Sequence, residues 1–325
     1  MSLRNGMSEI LTDRPLLASL AVTGSFWATY QAYSLATFTY QHFLRRSSFD
    51  RYKSFTNPSW APVTGASNGI GRGFAEELCS RGFNVVLHGR NPTKLEGVKA
   101  DLLKQWPNCV IEILVLDATK EEDYGRLEAS VSQLKDLNIK VLVNNIAGTP
   151  TPLWATLTSR GGKEVSTSID ATARFPTEIT RVLLPQLIER RPSLILSIGS
   201  GASEYAGPYI SVLSGSKAYN KSWSRCMASE MKVEGHPDVE VLFLMAGMMA
   251  TTDLRKASTM VPTPRRFARS GLDAAGSGRS VVWAYWAHAV QFGIVDILPE
   301  WLAERIVTSI AVKEKALEES EAKKR

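Results

Sequence analysis

The chain has 325 residues, 44% of them hydrophobic and 22% charged, with a formal net charge of +6. That length can bury a full core and suits one doubly wound α/β domain of about 250 residues with appendages. Acidic residues nearly balance basic ones, and no basic run interleaved with aromatics appears before the extreme C-terminus, which argues against nucleic acid as a partner. Cys79, Cys109 and Cys226 are far apart in sequence and form neither a CxxC nor a Cys/His spacing. A disulfide framework and a metal site are therefore not expected, and a reducing compartment suits the main domain.

From Leu16 to Leu44 there is no Asp, Glu, Lys or Arg. A bilayer core needs about 20 helical residues, whereas a signal peptide carries an apolar stretch of only about 7 to 15. Residues 1–54 are accordingly read as a single-pass N-terminal transmembrane helix followed by a linker. Thr, Ser and Gln dilute the segment, which leaves a hairpin or an interfacial helix as the alternative. Arg45, Arg46, Arg51 and Lys53 follow it directly, while Arg4 and Arg14 before it are offset by Glu9 and Asp13. The positive-inside rule then puts the main domain in the cytosol.

The run WAPVTGASNGIGRGFAEELCSRGFNVVLHGR reads as strand, glycine turn, helix and strand, the first βαβ unit of a Rossmann-type parallel sheet. Gly65, Gly69 and Gly71, with Ser67, Asn68 and Ile70 between them, have the spacing of a phosphate-cradling turn: without Cβ atoms the backbone N–H groups at the helix start can approach phosphate oxygens. Beyond the second strand stands Arg90, where an NAD-selective site would carry Asp or Glu for the ribose 2′-hydroxyl. A cation there suits a 2′-phosphate, hence NADP(H), and Arg72 in the glycine turn could assist. The third strand leads to Asp117 and the fourth to Asn144, Asn145 and Gly148, at the sheet edge where such folds bind ligands.

TGASNGIG, LDAT, VLVNNIAG and a later SxxS with GSK resemble the short-chain dehydrogenase/reductase family over residues 55–255. The wider order, with the FDRY segment, VPTPRRFARSGL and YWAHAV, looks like that of the membrane-bound very-long-chain 3-oxoacyl-CoA reductases of the fungal endoplasmic reticulum and the related 17β-hydroxysteroid dehydrogenases. The resemblance implies that Asp117 lies near the adenine, that Asn144 and Asn145 lie near the adenosine ribose and the central sheet, and that Thr251 lies near the nicotinamide amide. It also implies an endoplasmic reticulum membrane location, a lipophilic small-molecule or acyl-CoA substrate, and room for a homo-oligomer or partner enzymes of a pathway.

Family members reduce a carbonyl with a serine, a tyrosine and a lysine that follows the tyrosine by four residues. The serine matches Ser200 and the lysine Lys217, which also serves the cofactor, but the tyrosine position is Leu213. Leucine cannot donate a proton. Tyr209 lies eight positions before Lys217, about 12 Å along a helix, so it can act as the acid only if the segment after Pro208 is not helical. The resemblance puts Asp170 where the family has a helix asparagine. Pro62 falls in the first strand, where it removes a ladder donor, and Pro176 should kink or shorten the helix around it.

Residues 256–325 comprise a substrate-covering segment, the uncharged run from Val281 to Val295, read as a core helix, and a charged tail, KEKALEESEAKKR, read as an exposed, solvated helix. The chain as a whole is expected to be an NADP(H)-dependent oxidoreductase reducing a carbonyl of a 3-oxoacyl-CoA, a sterol or a polyketide-like metabolite. The alternative is a pseudoreductase that holds cofactor or partner enzymes at the membrane.

Overall fold

The computed structural model describes residues 15–148, 151–251 and 255–323; the charges at Arg4, Glu9, Asp13 and Arg14 lie outside them. Two units are distinguished, Met1–Arg46 and Ser47–Arg325.

In the first unit, helix α1 (Pro15–Thr39) runs for 25 residues and passes into a π-helical turn at Tyr40–Leu44. The helix forms as expected, and no helix among the described residues is both long and apolar enough to cross a membrane. The reason is its hydroxyl and amide content, which includes Thr23, Ser25, Thr29 and Gln31. The hydroxyls of Thr23, Ser25 and Thr29 donate to the carbonyls of Ser19, Ala21 and Ser25 at 2.9, 2.7 and 2.8 Å, and so are satisfied inside the helix.

The second unit is built on β1 (Ser59–Val63), β2 (Asn84–Gly89), β3 (Ile111–Val115), β4 (Asn138–Ile139), β5 (Val141–Asn144), β6 (Ser193–Ile198), β7 (Val239–Met245) and β8 (Val281–Trp283). The order is β3-β2-β1-β5-β6-β7-β8, with β4 beside β1 and every pairing parallel. The chain thus enters at the sheet centre and winds outwards both ways, the Rossmann arrangement expected. Both faces are covered, so successive strand residues serve opposite cores: Val85 and Leu87 pack into one cluster and Val86 into the other, and Val141 and Val143 are divided in the same way from Leu142.

Helices α2 (Gly69–Ser80), α3 (Pro92–Gln105) and α8 (Pro264–Ala274) contribute to the first core, and α4 (Glu121–Ser132), α6 (Phe175–Glu189) and α7 (Ser211–Val233) to the second. The unit also holds α5 (Gly162–Ile169), α9 (Trp286–Asp296) and α10 (Glu300–Ala322). The Val281–Val295 run divides into β8 and most of α9, so only part of it is the helix the sequence suggested. The charged tail lies in α10 as the helix expected, with Lys313, Glu319 and Lys323 exposed, but one face of it is engaged: Glu314 pairs with Arg255, and Glu318 accepts from the loop after β5.

Both prolines flagged in the sequence leave marks. Pro62 sits inside β1, paired in register with Val86, and the ladder on its other side is broken: the partner strand is divided into β4 and β5, and β1 meets β5 at Val63 opposite Val143. Around Pro176 the helix neither stops nor loses its carbonyl partner. A π-helical turn at Asp170–Arg174 joins α5 to α6, and the Thr172 carbonyl, four residues before the proline, accepts instead from Asn220 Nδ2 at 2.6 Å.

The FDRY stretch is core rather than linker. Phe49 and Tyr52 are each 1% exposed, and the Phe49 ring lies 5.3 Å from that of Phe83. The cysteines, distant in sequence, are not all distant in space: Cys79 Sγ and Cys109 Sγ approach to 3.1 Å in the interior as free thiols.

Candidate active site

The turn between β1 and α2 is shaped by its glycines. Gly65 and Gly69 have φ of +65° and +56°, which side chains resist. At Gly71 a Cβ would stand 2.3 Å from the Gly65 carbonyl oxygen and 2.6 Å from Asn145 Nδ2, so only hydrogen fits. Asn68 caps α2, its Oδ1 accepting from Gly69 N at 2.7 Å. Asn145 braces the turn from β5, donating to the Thr64 and Gly65 carbonyls at 3.0 and 3.4 Å, while Thr64 Oγ1 accepts from Asn145 N at 2.9 Å.

A cleft of about 620 Å³ opens beside this turn at the carboxyl edge of the sheet. Gly65, Ser67, Arg90 and Asp117 line it together, as the sequence placed them. Asp117 accepts from the Thr119 amide and hydroxyl at 3.1 and 2.7 Å, which orients the loop after β3. Asn144 and Asn145 do not line the cleft. Asn144 is buried, donating to Thr180 Oγ1 at 2.8 Å, so both asparagines hold the walls. Arg72, weighed as a second phosphate ligand, is engaged with Glu76 and Asp101 at 3.0 Å each, which leaves Arg90 as the cation at the end of β2. Thr251 reaches the glycine turn: a Cβ on Gly69 would meet its Cγ2 at 3.6 Å.

Sequence reasoning overlooked Thr119, Ala147, Thr167 and Ser168 as cleft walls. Thr119 was visible two residues beyond Asp117. Thr167 and Ser168 reach the cleft from α5 and carry no local signal.

The chain after β7 is fixed by His288 on α9. Its Nδ1 accepts from Gly247 N at 3.1 Å, so Nε2 carries the proton and donates to the Met248 carbonyl at 3.1 Å. Burial pushes this imidazole down to about 4, so it stays neutral at ordinary pH.

Ser200 follows β6 and caps a short 3-10 turn, its Oγ accepting from Ala202 N at 3.2 Å, and its hydrogen remains for another acceptor. Lys217 is buried on α7 and donates to the Ile198 carbonyl, two residues before Ser200, at 2.7 Å. Desolvation pushes its ammonium down to about 8. Leu213 occupies the first turn of α7, and no hydroxyl stands there. Tyr209 lies outside the helix, in a backbone with φ of +74°, and is the non-glycine residue in that region among those described. A helical spacing from Lys217 therefore does not apply to it. Tyr209 and Leu213 line one small cavity with Leu153, Arg160 and Ser168, and Ser168 also lines the large cleft.

A glycine turn, a dinucleotide-sized cleft and a serine and buried lysine at one sheet edge define a nicotinamide-dependent oxidoreductase of the Rossmann class. Residues 59–261 match the family model for short chain dehydrogenase, and the chain belongs to the short-chain dehydrogenase/reductase family of enzymes. It is 30% identical to a very-long-chain 3-oxoacyl-CoA reductase of Mycosarcoma maydis over 92% of this chain and 87% of that protein. With the protein of that name from Neurospora crassa it shares 32% identity over 73% and 72% of the two chains. Among solved structures, a 3-oxoacyl (acyl-carrier-protein) reductase from Agrobacterium tumefaciens superposes with a TM-score of 0.62 at 18% identity, over 73% of this chain and 95% of that one, a likeness of fold.

Proposed function

We propose that this enzyme uses NADPH to reduce the ketone of a lipophilic substrate, a 3-oxoacyl thioester before a sterol or polyketide-like ketone, at the endoplasmic reticulum membrane with its main domain in the cytosol. The observation that carries the reading is the cleft in which Gly65, Ser67, Arg90 and Asp117 meet, at the same sheet edge as Ser200 and Tyr209. Arg90 ends β2 where a 2′-hydroxyl reader would need a carboxylate, and a guanidinium there favours the 2′-phosphate. A solved short-chain dehydrogenase from Sphingobium yanoikuyae with TM-score 0.58, 20% identical over 75% of this chain and 97% of that one, is in complex with NADPH. The thioester is inferred from the relatives, which are very-long-chain 3-oxoacyl-CoA reductases by name. Membrane attachment is supported by α1, whose Leu16, Leu20, Phe26, Trp27 and Tyr30 are exposed and which shows no single apolar stripe. An uncharged helix that leaves large apolar side chains exposed on several sides suits a membrane surface.

When bound, the dihydronicotinamide supplies the hydride to the carbonyl carbon. Ser200 donates its free hydrogen to the carbonyl oxygen and polarises it. The Tyr209 phenol then gives the developing alkoxide its proton and recovers one from solvent, in place of a phenol at position 213. Lys217 keeps positive charge below the reacting groups while anchored on the Ile198 carbonyl. Because burial lowers its folded value to about 8, that charge is present below this pH and is lost above it. Reduction should therefore fall as pH rises through about 8.

The test is NADPH oxidation by the purified full chain against 3-oxoacyl-CoA esters of increasing length. Tyr209→Phe should lower kcat by about 10²- to 10⁴-fold, the usual contribution of a positioned general acid, and Leu213→Tyr in that background should restore part of it. Wild-type turnover unchanged by Tyr209→Phe would remove the proton assignment, and silence against all thioesters and ketones would remove the reductase reading.

A further inference from the structure

The C-terminal helix carries polar and apolar groups that are unexpected in a free tail. Val307, Ala311, Glu314, Lys315 and Glu318 fall within an arc of about 100° at 100° per residue, a single helix face. Every one of them meets a loop from the carboxyl edge of the sheet. Glu318 accepts the backbone N–H groups of Leu153 and Trp154, in the loop after β5, at 2.8 and 3.0 Å. In the loop after β6, a Cβ on Gly207 would stand 3.1 Å from Val307 Cγ1 and 3.7 Å from Ala311 Cβ, and Lys315 Nζ lies 5.3 Å from the centre of the Tyr209 ring. Glu314 pairs with Arg255, in the segment after β7.

Two of these loops, those after β5 and β6, meet beside Leu213, the position at which the family carries its phenol. Leu153 and Tyr209 share the small cavity with Leu213, and Ala155 N donates to the Tyr209 carbonyl at 3.3 Å, tying two of the loops to each other. Tyr209 needs such ties. Its φ of +74° disfavours a residue with a bulky side chain by about 1 kcal/mol or more, and the conformation persists only where surroundings impose it.

We propose that α10 assembles the substrate side of the active site, with Lys315 and Glu318 as positioning residues: Lys315 holds the Tyr209 ring and Glu318 holds the Leu153–Trp154 loop against it. The proposal rests on the reductase reading above and gives the tail a part in recognising the ketone substrate, separate from the cofactor cleft.

The experiment uses the full chain with single substitutions and steady-state kinetics on the best 3-oxoacyl-CoA substrate. Glu318→Gln, whose one carbonyl oxygen cannot serve both amides as a carboxylate does, should raise KM for that substrate about five- to tenfold. NADPH affinity, read by fluorescence of the bound nucleotide, should stay within twofold. Lys315→Met should lower kcat about tenfold, and Lys315→Arg, which keeps a cation over the ring, should return it to near wild type. Thermal midpoints identify any variant whose loss is merely unfolding, and Gly207→Val, which pushes Val307 away, gives an independent perturbation expected to raise KM. If Glu318→Gln and Lys315→Met leave both KM and kcat within twofold, or weaken NADPH and substrate equally, the proposal is overturned. A silent Tyr209→Phe together with a raised KM in Glu318→Gln would discard the phenol as acid and retain α10 as a substrate wall.

Discussion

Removing the Asn220 amide tests how the π-helical turn before Pro176 is stabilised. Pro176 has no N–H for the Thr172 carbonyl, and Asn220 Nδ2 fills that place at 2.6 Å in a buried setting. Asn220→Ala leaves the carbonyl without its donor, at a cost of about 1–3 kcal/mol. For a domain of this size each kcal/mol shifts Tm by about 2 °C, so the variant should melt about 2–6 °C lower. Pro176→Ala restores a main-chain N–H that can reach Thr172 once the turn relaxes to α-helical geometry. In that background Asn220→Ala should cost about 1–2 kcal/mol less, and the double-mutant cycle subtracts the packing loss common to both. Urea titration of the four proteins measures the coupling. Equal costs of Asn220→Ala in the two backgrounds, within about 0.5 kcal/mol, would refute the compensation. The outcome also bears on catalysis, because Asn220 lies one helical turn beyond Lys217 on α7.

Gly71→Ala should abolish measurable nicotinamide nucleotide binding in calorimetry, since its Cβ would meet backbone at 2.3 Å that has no room to retreat; retained affinity would contradict the cradle. His88 is wholly buried and stacked 4.8 Å from the Phe175 ring, and burial pushes its imidazole down to about 4 from 6.5. Its proton binds the unfolded chain more tightly, so its contribution is intact above about pH 6.5 and drains away as pH falls towards 4, by about 3 kcal/mol in all. Replacing it by Phe should flatten that part of the stability profile, and an unchanged acid limb in denaturation curves from pH 7 to 4 would exclude His88 as its source.

The cofactor half was legible because its signals are local. A strand, three glycines and a helix occupy one stretch of sequence, and Arg90 and Asp117 close two further strands, so position along the chain nearly equals position at the sheet edge. The catalytic half was less so. The bent backbone at Tyr209 is stabilised by Ala155 and Lys315, partners 54 and 106 positions away by subtraction of their numbers, and no local pattern announces it. Pro176 read as a helix breaker because its remedy, Asn220, lies on another helix. The tail read as solvated because its charge pattern is that of a free helix, and only the folded loops reveal acceptors and donors for it. The transmembrane reading counted absent charges, whereas hydroxyls and an amide set the apolarity of α1.

The stretch between Thr251 and Pro264 has both feet on the same helix. Thr251 rests against Gly69, and Pro264 backbone packs so closely on Gly73 that a Cβ there would meet it at 2.5 Å. Gly69 and Gly73 are one turn apart on α2, and Glu77, a further turn on, meets Arg265 and Arg269 of α8 at 3.3 Å each. Because the contact of Thr251 is with the phosphate-cradling turn itself, the nucleotide site and the segment after β7 share α2 as a common support.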